Sequence, residues 1–159
     1  MIGKLFQRRF SDKINFHQSC DKYVEGFGEL DGEFWIGLEK IHRLTKDGSQ
    51  LRINTTTQGG SNTSNTYNTF TVHGATDSYK MNIGSNSLLF KRHNNVKFTI
   101  YGKQTTHCSS INYSNSNTHT GGWWFGGCTN TQDYFETLNS IDGSYTTSSM
   151  SVKSMEGTC

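Results

Sequence analysis

Several things are missing from this chain of 159 residues, and each absence closes a class of function. No stretch approaches 18 consecutive apolar residues, so no transmembrane helix is expected and no membrane partner follows. The opening Met-Ile-Gly-Lys-Leu-Phe-Gln-Arg-Arg has no apolar core segment and does not read as a signal peptide. Cys20, Cys108, Cys128 and Cys159 include no C-x-x-C pair, which argues against a zinc ribbon or a thioredoxin-type redox motif. No dense Lys/Arg run exists, and a net charge of +2 leaves no nucleic-acid footprint. Paired carboxylates and a phosphate-cradling glycine loop are also lacking. His107 beside Cys108, with His119, is a poor zinc set, because side chains at i and i+1 rarely converge on one ion. A Cys–His nucleophile pair would need a low-pKa thiolate in a cleft, and four cysteines here argue for pairing instead. No enzyme is expected.

What is present is aromatic and polar. Leu, Ile, Val and Phe make up just under a fifth of the chain, a share that with high net charge would indicate disorder. With little net charge and 13% aromatic residues, the composition predicts one loop-rich globular domain whose core leans on Phe, Tyr and Trp. Residues 121–128, Gly-Gly-Trp-Trp-Phe-Gly-Gly-Cys, carry two of the three tryptophans. On an extended backbone Trp123 and Trp124 would point to opposite faces and anchor two layers, while the flanking glycines permit close approach to another segment.

Along the chain, Leu5–Phe10 reads as a strand whose arginines lie at an edge or are paired. Asn15 is a candidate N-cap for a helix through Tyr23 and Val24, closed by Gly26 or Gly28. Leu38, Ile41 and Leu44 recur at helical spacing, with Asp47-Gly48 turning out of that second helix. Residues 51–53 alternate as a half-buried strand. The Ser/Asn/Thr-rich tracts 54–69 and 105–120 read as long polar surface loops. Phe70–His73 and Tyr79–Gly84 suit a hairpin turning at 74–77. Leu88–Phe90 and Val96–Tyr101 follow, and Met150–Lys153 is a candidate last strand. Asn54, Asn62 and Asn112 begin Asn-x-Ser/Thr sequons, which would be glycosylation candidates in a secreted protein.

Phe6-Gln7-Arg8-Arg9, Phe16, Tyr23, Gly26-Phe27-Gly28, Gly32-Glu33-Phe34-Trp35-Ile36-Gly37-Leu38 and Ile41-His42-Arg43-Leu44-Thr45 together resemble the fibrinogen C-terminal domain. Further on, Tyr79–Gly84, His93–Thr99 and Gly121–Phe125 with Cys128 resemble the same family in the same order. The match is strong over 6–53, ordered but patchy over 67–128, and poor after 129. The resemblance implies a β-rich α+β fold over 1–159, a twisted antiparallel sheet with a few short helices and long polar loops, lacking the family's N-terminal subdomain. It implies a secreted, non-catalytic recognition module for a glycan or an extracellular protein, with a role in innate immunity, in adhesion or in receptor signalling. The remaining alternative is a degenerate fragment with no ligand. Family members usually trimerise through segments that this sequence does not contain.

The resemblance also places a ligand pocket beside a disulfide. It lies around a cis peptide before a cysteine, with a His after it and aromatic neighbours. Those positions fall on Phe125, Gly127, Cys128 and Thr129, with Thr129 where the His would stand. By the same comparison Cys108 pairs with Cys128, leaving Cys20 as a small buried hydrophobe and Cys159 free. The family's calcium acids fall on Gly102 and Gln104, which carry no carboxylate, so no calcium and no other cofactor is expected.

Overall fold

The computed structural model describes residues 3–11, 13–84, 93–101, 108–111, 121–124 and 145–155. Its main sheet grows from β1 (Lys4–Arg9), β2 (Phe27–Gly28), β3 (Phe34–Trp35), β4 (Ser49–Thr57), β5 (Asn62–Val72), β6 (Met81–Ile83) and β9 (Tyr145–Ser154). Their order is β2-β3-β1-β9-β4-β5-β6, and every pairing is antiparallel. The last strand therefore enters the middle, hydrogen-bonded to β1 on one side and to β4 on the other. A second sheet pairs β7 (Thr99–Tyr101) with β8 (Ser109–Ile111) in parallel. Among the described residues, the short helices α1 (Cys20–Glu25) and α2 (Leu38–Thr45) give the architecture its α+β character.

The helices form where the spacing of apolar residues predicted them, but the first begins later. Asn15 takes the His17 N–H within its own turn, so Ser19 caps α1 by accepting from the Lys22 N–H. Gly26 closes that helix at φ 103°, and a Cβ there would sit 2.4 Å from the Ile36 carbonyl oxygen, so only glycine fits. In α2, Leu38, Ile41 and Thr45 are buried. The Thr45 hydroxyl donates to the Ile41 carbonyl and accepts from the Val72 N–H, fastening the helix to β5.

The expected loop at 54–69 is instead most of a long hairpin. Residues 54–57 continue β4, and 62–69 belong to β5, in register from Thr56↔Asn62 to Leu51↔Tyr67. Threonine is β-branched and sits comfortably in a pleated strand, and polarity alone does not make a loop. Ser49, Leu51, Ile53 and Thr55 alternate inward along β4. Opposite them, Ser148, Met150 and Val152 of β9 do the same. Part of the second tract, Ser109–Ile111, is also strand. The expected hairpin between 70–73 and 79–84 forms, with Phe70↔Ile83 and Val72↔Met81 in register around a 3-10 turn at Ala75–Asp77. Leu88–Phe90 lies outside the described residues.

Strand β1 is interior rather than an edge. A register shift between Leu5 and Gln7 turns successive side chains Phe6 and Gln7 inward, where Gln7 donates to the Ser148 hydroxyl. Arg8 crosses the Phe34 ring and donates to the Gly32 and Leu30 carbonyls; Arg9 lies over Phe16. Glu33, 3% exposed, receives the N–H groups of Phe10, Ser11 and Ile14 and so folds residues 10–14 around one carboxylate. Burial works to raise this carboxyl, but the Ser11, Phe10 and Ile14 N–H bonds outweigh it and hold the group below its ordinary value of 4.5.

A carboxylate whose pKa is lowered on folding stabilises the fold above its unfolded pKa and loses that contribution as pH falls through the folded value. Glu33→Gln is expected to cost about 1–3 kcal/mol near neutral pH, since it removes a charged acceptor from three partly buried N–H bonds. Urea unfolding from pH 7 to pH 3 should show wild-type stability declining below pH 4.5, with a shallower decline in the variant.

Candidate functional site around the tryptophan doublet

Trp123 and Trp124 are both 1% exposed. They do not serve two layers: their rings meet at 5.1 Å and 76° within one hydrophobic cluster. The backbone explains this. Trp123 makes a single antiparallel bridge to Thr99, exchanging N–H···O bonds of 2.8 and 3.0 Å, and the alternation of a continuous strand does not extend through Trp124. Trp124 packs against Trp35, Phe70 and Phe98 and donates its indole N–H to the Tyr79 carbonyl at 2.7 Å.

Three other groups hold the doublet. The Tyr23 hydroxyl donates to the Phe16 carbonyl at 2.6 Å and accepts the Gly122 N–H at 2.8 Å, joining α1 to the doublet across 99 residues. Burial drives this phenol far above its ordinary value, the Gly122 N–H notwithstanding, so it stays a neutral donor. Gly122 lies so close to the Phe98 ring that a Cβ would stand 2.8 Å from it, the close approach that the glycine pair predicted. His93, buried, donates Nδ1–H to the Trp124 carbonyl at 2.6 Å and meets the Trp123 ring edge-on. The Trp123 indole N–H is buried without a hydrogen-bond partner among the described residues. Farther out, Tyr79 donates to Glu39, and burial together with that carboxylate pushes its hydroxyl up to about 12.

The disulfide expectation is corrected. Cys108 is bonded to Cys20, with Cα atoms 5.9 Å apart, which excludes the Cys108–Cys128 bridge. Cys20 is the first residue of α1 and faces the core, and Cys108 immediately precedes β8. The bridge therefore ties the first helix to the small sheet over 88 residues of chain. Cys20 is a buried half-cystine and not a free hydrophobe. Nothing in the spacing of four cysteines signals this pairing. Cys108 accordingly has no thiolate to offer a zinc ion or a substrate, and among the described residues no three His, Cys, Asp or Glu side chains gather.

Phe125, Gly127, Cys128 and Thr129 lie outside the described residues, as do Gly102, Gln104, Asn112, His107 and His119. Trp124 is the last described residue before the candidate pocket. By residue type Gly102 and Gln104 can offer a cation only carbonyl oxygens and no carboxylate. Glu33 was legible only as part of the Gly-Glu-Phe-Trp run; its role as acceptor for three backbone donors needed the fold.

An antiparallel sheet with an inserted C-terminal strand, two short helices and a buried tryptophan doublet define a fibrinogen-like globe. The chain belongs to that family: the model of the C-terminal globular domain of fibrinogen beta and gamma chains matches residues 3–155. Mouse (Mus musculus) angiopoietin-related protein 7 is 33% identical over 132 residues, covering 79% of this chain and 38% of its own. Fibrinogen-like protein A of Apostichopus parvimensis is 31% identical over 148 residues, covering 89% and 49%. The chain thus spans less than half the length of these relatives. Among solved structures, the fibrinogen-like globe domain of human ANGPTL2 superposes with a TM-score of 0.72 at 21% identity, over 94% of this chain and 78% of that one.

Two outcomes follow. Cys20→Ser with Cys108→Ser should lower stability by about 2–5 kcal/mol, the range for removing a native disulfide that closes a long loop. Intact-mass counting of alkylated thiols in unreduced, denatured protein checks the bridge itself, and a tryptic map should yield the Cys20–Cys108 peptide pair. Tyr23→Phe strands the Gly122 N–H and should cost about 1–3 kcal/mol in urea unfolding with little change of fold by circular dichroism.

Proposed function

We propose that this chain is an extracellular, non-catalytic recognition module that holds a glycan or protein ligand on the surface continuing from the doublet, residues 113–129. Phe125 supplies an apolar floor, the Gly127–Cys128 backbone supplies polar groups, and the Thr129 hydroxyl donates and accepts. The observation that carries this is the clamping of Gly122–Trp124 from three directions, by Tyr23, Thr99 and His93. Chain leaving Trp124 starts from a fixed frame, and binding loops work when a rigid scaffold positions them. The Cys20–Cys108 disulfide suits an oxidising, extracellular setting. Calcium is not needed, given Gly102 and Gln104.

The 54–69 tract is an ordered hairpin, so rigidity alone does not set it apart as a ligand surface. What still favours 113–129 is its continuity with the clamped doublet. A protein ligand, as in adhesion or receptor signalling, is favoured over an acetylated glycan of innate-immune type, because Thr129 stands where the lectin-like members carry His. A lamprey fibrin D-dimer in complex with the peptide Gly-His-Arg-Pro-amide shares the fold at 20% identity and a TM-score of 0.67, which makes a peptide-sized ligand a natural probe.

A glycan array and an immobilised-peptide panel, each with and without calcium, would name the ligand class. Thr129→Val keeps the shape and removes the hydroxyl, so affinity for the strongest binder should fall roughly 3–10-fold, the cost of one hydrogen bond. Unchanged affinity in Thr129→Val, combined with loss on replacing the hairpin tip 58–61, would place the site at the hairpin and not at 113–129. Equal binding with and without calcium is the expected result.

A further inference from the structure

The alternation of β4 and β9 turns Ser49, Leu51, Ile53, Thr55, Ser148, Met150 and Val152 into the core. The intervening residues face outward, away from the tryptophan doublet's cluster. At one end of that outer face a groove of about 380 Å³ crosses four strands; Arg8, Phe10, Asn54, Thr56, Asn62 and Ser149 are among its lining. Two of the three sequons begin in it. Asn54-Thr55-Thr56 and Asn62-Thr63-Ser64 each place the asparagine and its +2 hydroxyl on the same side of an extended strand, and both asparagines are exposed.

We propose that Asn62 carries an N-linked glycan and that this groove is the bed in which its first sugars lie. The assignment rests on the extracellular reading above. Attachment joins the Asn62 amide nitrogen to C1 of a lipid-diphosphate-linked oligosaccharide. The N–C1 bond forms, the C1–O bond to the diphosphate breaks, the diphosphate leaves with the electron pair, and the amide proton passes to a base of the transferring enzyme.

The local geometry selects Asn62 over Asn54. Asn62 opens β5 beside the turn at 58–61, and the far side of β5 is paired only at Phe70–Val72, so the asparagine stands at a sheet border. The Thr147 hydroxyl donates to Thr56 at 2.7 Å, and Thr56 donates to the Asn62 amide oxygen at 2.8 Å. That chain fixes the amide with its nitrogen, the sugar-bearing atom, turned away from Thr56. Asn54 lies between β9 and β5 and its nitrogen points to the Ser149 hydroxyl at 3.4 Å. It is the diagonal neighbour of Asn62, with roots about 7–8 Å apart, too near for two branched glycans on one folded face.

The lining suits a sugar. Arg8 is committed to two carbonyls and the Phe34 ring, and Arg9 to the Phe16 ring, so the groove offers hydroxyls and amides and not a cationic bed for an anion. Phe10 stands at its rim, 51% exposed, with its backbone N–H fixed by Glu33. An aromatic ring beside hydroxyls matches the C–H face and polar edge of a pyranose.

The test uses the full chain expressed in eukaryotic cells, once with its own N-terminus and once behind a supplied secretion leader. Release by peptide N-glycosidase in 18O water should leave labelled Asp at 62 and unlabelled Asn at 54. In the peptide spanning Asn54 and Asn62, separated from Asn112 by digestion, Asn62→Gln should abolish the glycosidase mass shift and Asn54→Gln should keep it. Ser64→Ala removes the sequon without touching Asn62, should Asn62→Gln misfold. Hydroxyl-radical labelling of Phe10 should be several-fold lower in the glycosylated protein than in Ser64→Ala. Leader-directed secreted protein with Asn62 bare, or with Asn54 occupied, overturns the assignment. Equal labelling of Phe10 with and without the glycan overturns the seating. Modification seen only behind the supplied leader upholds Asn62.

Discussion

The hydrogen-bonding of β9 between β1 and β4 is the constraint on which the remaining structure depends. Without residues 145–154 the sheet would divide into β2-β3-β1 and β4-β5-β6, two small pieces each with an open edge. With it, Met150 and Val152 face Ile53 and Leu51 in register, and the core face becomes continuous from Phe6 to Phe70. The contacts are non-local, joining the first and last strands of the described chain, so their loop-closure entropy must be met before the ladder repays it.

On that face the core is built from rings more than from aliphatic side chains. Phe6, Tyr23, Trp35, Phe70, Phe98 and Trp124 form a connected set of edge-on, stacked and tilted pairs with centroids 5.0–6.4 Å apart. The polar ends of these rings are used as well. Tyr23 and Trp124 spend their donors on the Phe16 and Tyr79 carbonyls, and the Trp35 indole on that of Tyr23. A chain poor in Leu, Ile and Val thereby gains both burial and direction, since the Tyr23 hydroxyl and the Trp35 and Trp124 indole N–H groups meet their carbonyls in one orientation only.

The outer side of the sheet, away from the doublet, is a field of Ser, Thr and Asn with few apolar groups. The Glu33 carboxylate fixes Phe10 at the rim of the outer groove, since one acceptor gathers the N–H groups of Phe10, Ser11 and Ile14.

Family, helices, the 70–84 hairpin and the aromatic character of the core were determined by the sequence alone. Each rests on local spacing: Leu38, Ile41 and Leu44 for α2, Gly26 at the end of α1, and the ordered run of family motifs from Phe6 to Trp124. The tertiary structure decided what spacing cannot carry. Residues 54–57 and 62–69 became strands because β9 supplied a ladder for β4 from far along the chain, and Thr-rich chain accepts such a ladder as readily as a loop. Cys108 paired with Cys20 because the fold brings the start of α1 and the start of β8 within bonding distance, and four cysteines leave three pairings open until the fold chooses. Trp123 and Trp124 fell into one cluster because a single bridge to Thr99, and not a strand, set their backbone. In each case a long-range contact overruled a local pattern, since only the folded chain fixes which distant segment comes within hydrogen-bond reach.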